Sequence, residues 1–184
     1  MFKGLVWWEK KGHLPFTRPF LIEFYESQNI IIRGISLRNA MFWTLHPVYC
    51  DHVSITNITI VNPIGISPNS DGIDPDSSSN VYIAFNDIYT GFVFFFFWLI
   101  NKKNLRDDHI AIKSGNGING LHVNRSSHNI LVEHNYFHIG GGSAIGSETS
   151  GGVYNVTFRN NRYFASFNTV RLKSARGNGG VIEN

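Results

Sequence analysis

The segment Asn129-Ile130-Leu131-Val132-Glu133-His134-Asn135-Tyr136-Phe137 sets β-branched and aromatic residues at alternate positions behind a polar start. Period-two alternation sends one set of side chains inward and the other outward, as in a half-buried strand. The unit recurs upstream as Gln28-Asn29-Ile30-Ile31-Ile32-Arg33-Gly34-Ile35, as His52-Val53-Ser54-Ile55-Thr56-Asn57-Ile58-Thr59-Ile60 and as Asn80-Val81-Tyr82-Ile83-Ala84-Phe85-Asn86-Asp87-Ile88. It recurs downstream as Asn155-Val156-Thr157-Phe158-Arg159-Asn160-Asn161. The first hydrophobic residues of these units are Ile30, Val53, Val81, Ile130 and Val156, at steps of 23, 28, 49 and 26 residues. The long step has room for one more strand, His109-Ile110-Ala111-Ile112-Lys113. Repeats of about 20–30 residues made of strands without helices imply a solenoid. Leucine-rich repeats share the period, but the chain has only 10 leucines. A β-sandwich would space its strands at about 8–12 residues. The reading is all-β: a right-handed parallel β-helix, one domain over residues 1–184, expected to be incomplete at both ends.

Composition agrees. The 184 residues include 20 Asn, 21 Ile and 18 Gly against 6 Ala and 2 Met, which favours strands and tight corners over helices. Hydrophobic residues make up 42% and charged residues 16%, too apolar for a disordered chain. One cysteine, Cys50, excludes an internal disulfide framework and a cysteine-based zinc site. The net charge of +3 comes without a Lys/Arg run, so no nucleic-acid partner is expected. Residues 1–12, MFKGLVWWEKKG, lack the apolar core and cleavage site of a signal peptide. The longest apolar run, residues 92–100, is about half of a membrane span, so no membrane association is expected.

That run breaks the repeat. Gly91 is followed by Phe-Val-Phe-Phe-Phe-Phe-Trp-Leu-Ile and then a basic stretch up to Arg106. Four successive Phe residues suit neither alternation nor a surface loop. Residues 92–106 read as an insertion, such as translated intron sequence, that bulges from the stack; a buried strand with a basic cap is the alternative.

Three acidic groups stand out: Asn69-Ser70-Asp71-Gly72-Ile73-Asp74-Pro75-Asp76, the pair Asp107-Asp108, and Glu148. The first is not an EF-hand, because Ile73 and Tyr82 fall where ligands are required. Adjacent acids on a regular strand face opposite ways, so Asp107 and Asp108 share a site only at a bend. Clustered carboxylates raise one another's pKa and so supply both an acid and a base near neutral pH. Arg171 and Lys173 lie two apart, on one face of a strand, where they would hold an acidic substrate.

The order of these motifs, Asn-Ser-Asp-Gly-Ile-Asp, then Asp-Asp-His-Ile-Ala-Ile-Lys-Ser-Gly, then Ala-Ile-Gly-Ser-Glu-Thr-Ser-Gly-Gly-Val, then Arg-Leu-Lys, resembles the polygalacturonases, pectin-hydrolysing glycoside hydrolases of family 28. Residues 17–19, 42–50 and 67–79 resemble a plant-type subgroup. The resemblance implies hydrolysis of α-1,4 bonds between galacturonic acid units, with inversion and without a metal or other cofactor. It implies Asp107 as general acid, Asp71 and Asp108 as the pair that activates water, and Arg171 and Lys173 as substrate-binding residues. Asp74 is a further candidate. The family's Gly-His-Gly reads Gly140-Gly141-Gly142; His138, two residues upstream, is a candidate substitute for the absent histidine, but a structural histidine at a strand end is the favoured reading. An extracellular or cell-wall location, an anionic polysaccharide partner and a monomeric state follow from the same resemblance. The competing expectation is a catalytically inactive pectin-binding β-helix or a truncated product. A calcium-dependent lyase on the same fold fits the Arg/Lys and Asp-Asp pairs less well.

Three sequons, at Asn57, Asn124 and Asn155, accompany these motifs. His46 and His52 read as structural, and Trp7, Trp8 and Trp43 as core residues, with sugar stacking as the alternative role for the tryptophans.

Overall fold

A computed structural model of the chain describes residues 7–8, 14–63, 67–90 and 107–184. The expected insertion at 92–106 lies outside the described residues.

The strands form three sheets, and every pairing within them is parallel. The first sheet stacks β2 (Gln28–Arg33), β5 (Asp51–Thr56), β7 (Ser79–Ala84), β10 (Ser127–Glu133), β13 (Val153–Arg159) and β16 (Ile182–Glu183) in that order. The second stacks β3 (Ser36–Arg38), β6 (Thr59–Val61), β8 (Asp87–Tyr89), β11 (Tyr136–Phe137) and β14 (Arg162–Tyr163). The third has two parts, β1 (Ile22–Tyr25) with β4 (Leu45–Val48), and β9 (Ile110–Ile112), β12 (Ser143–Ile145) and β15 (Val170–Leu172). Single bridges from Leu45 to Ile73 and from Ile73 to Ile110 join these parts through residues 71–76. The fold is a parallel β-helix.

The repeat read from the sequence is the register of the first sheet. Ile30 pairs with Val53, Val53 with Val81, Val81 with Ile130, and Ile130 with Val156. Their side chains face the interior with Ile55, Ile83 and Val132, and all but the half-buried Val156 are buried. The core is completed from the other sheets by Ile60, Ile88, Phe137, Leu45, Ile73, Ile110 and Ile112. The 49-residue step holds no extra rung of this sheet, because β7 pairs directly with β10. The expected additional strand exists as β9, but it belongs to the third sheet. A short helix, α1 (Gly117–Val123), follows it on the way to β10.

Asparagine has two jobs here. Asn29, Asn80, Asn129 and Asn155 each adopt positive φ (57°, 52°, 55° and 47°) just before the first inward residue of a rung. Asn tolerates this left-handed conformation better than most residues. The outer amides link coils, Asn129 Nδ2 donating to Asn80 Oδ1 (3.1 Å) and Asn155 Nδ2 to Asn129 Oδ1 (2.8 Å). A second ladder is buried. Asn86 Nδ2 donates to Asn135 Oδ1, and Asn135 Nδ2 to Asn161 Oδ1, both at 3.0 Å. These amides satisfy backbone groups at a corner that water does not reach.

Candidate active site

The third sheet carries the site on its outer side. At its entrance the coils approach closely: a Cβ at Gly72 would lie 2.4 Å from the His109 carbonyl oxygen, so only glycine fits. Gly72 N donates to Asp108 O (2.9 Å) and Ile73 N to His109 O (3.0 Å), which sets Asp71 alongside the Asp107-Asp108 bend. The next coil is tied in by Gly141 N donating to Asp107 O (2.6 Å) and His109 N to Gly142 O (2.8 Å). Further along, Ala111 pairs with Ala144 and Ala144 with Arg171.

A cavity of about 190 Å³ opens there. Asp71, Asp107, Asp108, Arg171 and Lys173, drawn from three coils of the stack, all line it. Asp107 Oδ2 accepts from the Ser70 backbone N–H (2.9 Å). Asp108 is clamped by both cations: Arg171 Nη2 donates to Oδ1 (2.7 Å) and Lys173 Nζ to Oδ2. Residues adjacent in sequence thus serve one site because the backbone bends before β9.

Five further residues line it: Asn69 and Glu148, which stood out in the acidic motifs but were given no role, and Trp43, Lys113 and Ser147, which the sequence did not assign to the site. Trp43, read from sequence as core, forms part of the wall, whereas Trp8 is a core residue whose Nε1 donates to Ala40 O (3.1 Å). Lys113 is buried, bonds Glu148 Oε2 at 3.0 Å, and lies 4.3 Å from the centre of the Trp43 ring. Arg18 braces the rim by donating to Asn69 Oδ1 (2.9 Å) and Met41 O (2.9 Å). The motif order drew attention to the acids and to the Arg/Lys pair; the Ile-Ala-Ile-Lys segment was the one available signal for Lys113.

Asp74 is fully buried beneath the cavity, with neither oxygen hydrogen-bonded and Lys113 Nζ 3.7 Å away. His138 does not line the cavity. Its ring stacks on Tyr89 (3.6 Å between centroids) and its Nε2 lies 3.3 Å from Asp87 Oδ1, on the outside of the second sheet. Nor does the fold leave space for a histidine in the Gly140–Gly142 segment. A Cβ at Gly141 would lie 2.8 Å from Asp107 O and 2.9 Å from Asp108 Oδ1. His46 is held between Glu23 (2.9 Å) and Asp76 (3.7 Å), and His52 pairs with Asp51 (2.7 Å), in keeping with structural roles.

Burial, and then the charge of Asp107, push the Asp71 carboxyl up to about 8; Lys113 and Lys173 pull it back. Burial and Asp71 likewise hold Asp74 well above the carboxylate range. Burial disfavours the Lys113 ammonium, but Asp74, Asp71 and Glu148 more than offset it, so Lys113 stays charged. The site therefore holds a proton on a carboxyl at neutral pH beside an ion-paired Asp108. That combination suits general acid/base chemistry on an anionic molecule. Among the described residues, no group of three or more His, Cys, Asp or Glu is arranged to hold a metal ion, and no helix is long and apolar enough to cross a membrane.

The sequence matches the family described as glycosyl hydrolases family 28 over residues 2–184. The chain belongs to that family. It is 32% identical over 188 residues to a probable polygalacturonase of Vitis vinifera, covering 98% of this chain and 34% of the relative. It is 35% identical over 187 residues to an endo-polygalacturonase of Pectobacterium parmentieri, covering 98% and 40%. Among solved structures, a hyperthermoactive exopolygalacturonase from Thermotoga maritima superposes with a TM-score of 0.78 at 37% identity, over 91% of this chain and 34% of that one. The family 28 chain thus spans between a third and two-fifths of the length of these relatives.

Proposed function

We propose that the family 28 site hydrolyses α-1,4-galacturonosidic bonds of polygalacturonate with inversion. The observation that carries this is one cavity lined by three aspartates and two cations from separated motifs. Asp107 donates its proton to the leaving glycosidic oxygen. Asp71 and Asp108 orient a water on the opposite face, and the ionised member of this pair takes its proton as the oxygen attacks the anomeric carbon. The C–O bond breaks as the new one forms, and the anomeric configuration inverts. Arg171 and Lys173 are partly exposed beside Asp108, with side-chain exposures of 34% and 26%, so they retain donors for a sugar carboxylate. The substrate is an anionic pectic polysaccharide, met outside the cell or in its wall, and the acting form is a monomer.

The test is incubation with polygalacturonate. New reducing ends without ultraviolet absorbance are expected, lost on Asp107→Asn. Unsaturated products would mean elimination instead. Binding without turnover would mean an inactive pectin-binding β-helix.

A further inference from the structure

Lys113 lies at the C-terminal end of β9, in register with Asp76 through a bridge in the third sheet. It is the most deeply buried cation of the cavity, with only 3% of its side chain exposed. Glu148 bonds it from the segment after β12, Asp74 faces it from below, and Trp43 covers it from the segment before β4. A long, flexible lysine is thereby fixed on three sides. Nothing in the family reading assigned it a role.

We propose that Lys113 is a positioning residue: pinned between Glu148 and Asp74 and covered by Trp43, it keeps a fixed positive charge beneath Asp71. The neighbourhood of Asp71 makes this charge matter. Asp107 and Asp108 oppose its ionisation from the bend before β9, and Asp74 lies in its own segment. Lys173 acts from the end of β15 with Arg171 next to it, and Arg18 contributes from the rim. Asp76 faces His46 and the Gly115 N–H instead. Of the cations that pull the Asp71 carboxyl down, Lys113 acts most strongly, and Lys173 is bonded to Asp108. Removing Lys113 leaves Asp71 surrounded mainly by acids. Removing Glu148 leaves Lys113 with less opposing charge. The two changes therefore act on Asp71 in opposite directions, which a purely structural salt bridge would not do.

The experiment titrates the aspartate carboxyl carbons by 13C NMR in the intact chain, without substrate. Lys113→Met is expected to move the Asp71 titration up by about one pH unit or more, and Glu148→Gln to move it down by a few tenths. The double variant should fall between the two. Lys113→Arg, which keeps the charge, should stay near the parent. If Lys113→Met does not fold, as judged by circular dichroism, Glu148→Gln and Lys113→Arg decide the matter. Singles that shift the same way, or a Glu148→Gln titration that stays with the parent, overturn the proposal. The proposal rests on the hydrolase reading only for its kinetic arm, in which both limbs of the pH–rate profile on polygalacturonate should move with the titrations. A parent that releases no reducing ends overturns the hydrolase reading and leaves the titrations to judge Lys113.

Discussion

Asp71→Asn should make the protein more stable while removing one of the two carboxyls that orient the water. Asp71 is 6% exposed, and its carboxyl is pushed from 3.8 up to about 8 by burial and by Asp107. Its folded-state pKa is thus raised, so its contribution to stability is full below about pH 4. That contribution is lost progressively as pH rises toward 8, because the unfolded chain releases a proton that the folded chain retains. One unit corresponds to about 1.4 kcal/mol, so the loss at pH 7 is about 4 kcal/mol before relaxation. Local relaxation and a high effective dielectric reduce this, and a net gain of about 2–4 kcal/mol is expected for Asp71→Asn at pH 7. For a chain of this size that is a rise in melting temperature of about 4–12 °C. The assay is thermal unfolding of parent and variant by circular dichroism at pH 4, 7 and 9, with reducing-end release measured in parallel. The gap should be near zero at pH 4 and widen to pH 9. A gap independent of pH, or a variant less stable at pH 9 than the parent, would refute the reasoning.

The remaining expectations follow from particular contacts. Gly141→His should not recover a family feature; with backbone and Asp108 within 3 Å of the new Cβ it should lower both melting temperature and activity, and an unchanged melt would contradict the geometry. Asn135→Leu removes a buried amide that bonds Ile83 O and links Asn86 to Asn161, and should cost about 2–4 kcal/mol in urea unfolding. Arg171→Ala with Lys173→Ala should weaken polygalacturonate binding by calorimetry and flatten its salt dependence, since exposed ion pairs are screened. Asp108→Asn should release the same two cations and tighten binding while turnover falls; weaker binding would show that the pair does not contact the substrate.

The fold was legible because its information is local. Ile30, Val53, Val81, Ile130 and Val156 announce themselves by alternation, and the residues so marked are the ones that pair across the first sheet. The third sheet was harder to read. Among the described residues, three of its coils contribute strands of three residues, and one joins only through single bridges at Ile73 and Asp76, too short for a periodic pattern. The register that brings Lys113 under the cavity is set there. The segment Ile-Ala-Ile-Lys could show that Lys113 ends a strand, but not that Trp43 and Glu148 meet it. His138 shows the same limit. Two residues from Gly140 is near in sequence, but the coil turns a corner between them, so His138 faces out from the second sheet while the cavity opens from the third. Asparagine composition signalled corners correctly. It could not separate the exposed ladder at Asn80 and Asn129 from the buried one at Asn86 and Asn135, because both follow the same residue type in the same repeat.

The absence of a histidine at Gly141 has a physical counterpart in how Asp108 is held. A buried carboxylate needs partners to stay ionised, since burial alone would favour the neutral form. Here Arg171 and Lys173 supply them from two coils further along, and the backbone at Gly141, in the coil between, closes on Asp107 and Asp108 more tightly than any side chain would allow. The two cations therefore have divided duties: each bond to Asp108 is one not made to a sugar carboxylate. Arg171 accommodates this because its planar fork carries five N–H donors, and its buried Nε makes no hydrogen bond in the free protein. Lys173 has three donors on a flexible stem and can bridge Asp108 and an incoming anion together. Holding Asp108 and receiving the substrate then become one electrostatic problem, solved by charges on β15 and at its end. The remaining inner charge, on Lys113, acts on Asp71 and Asp74 instead.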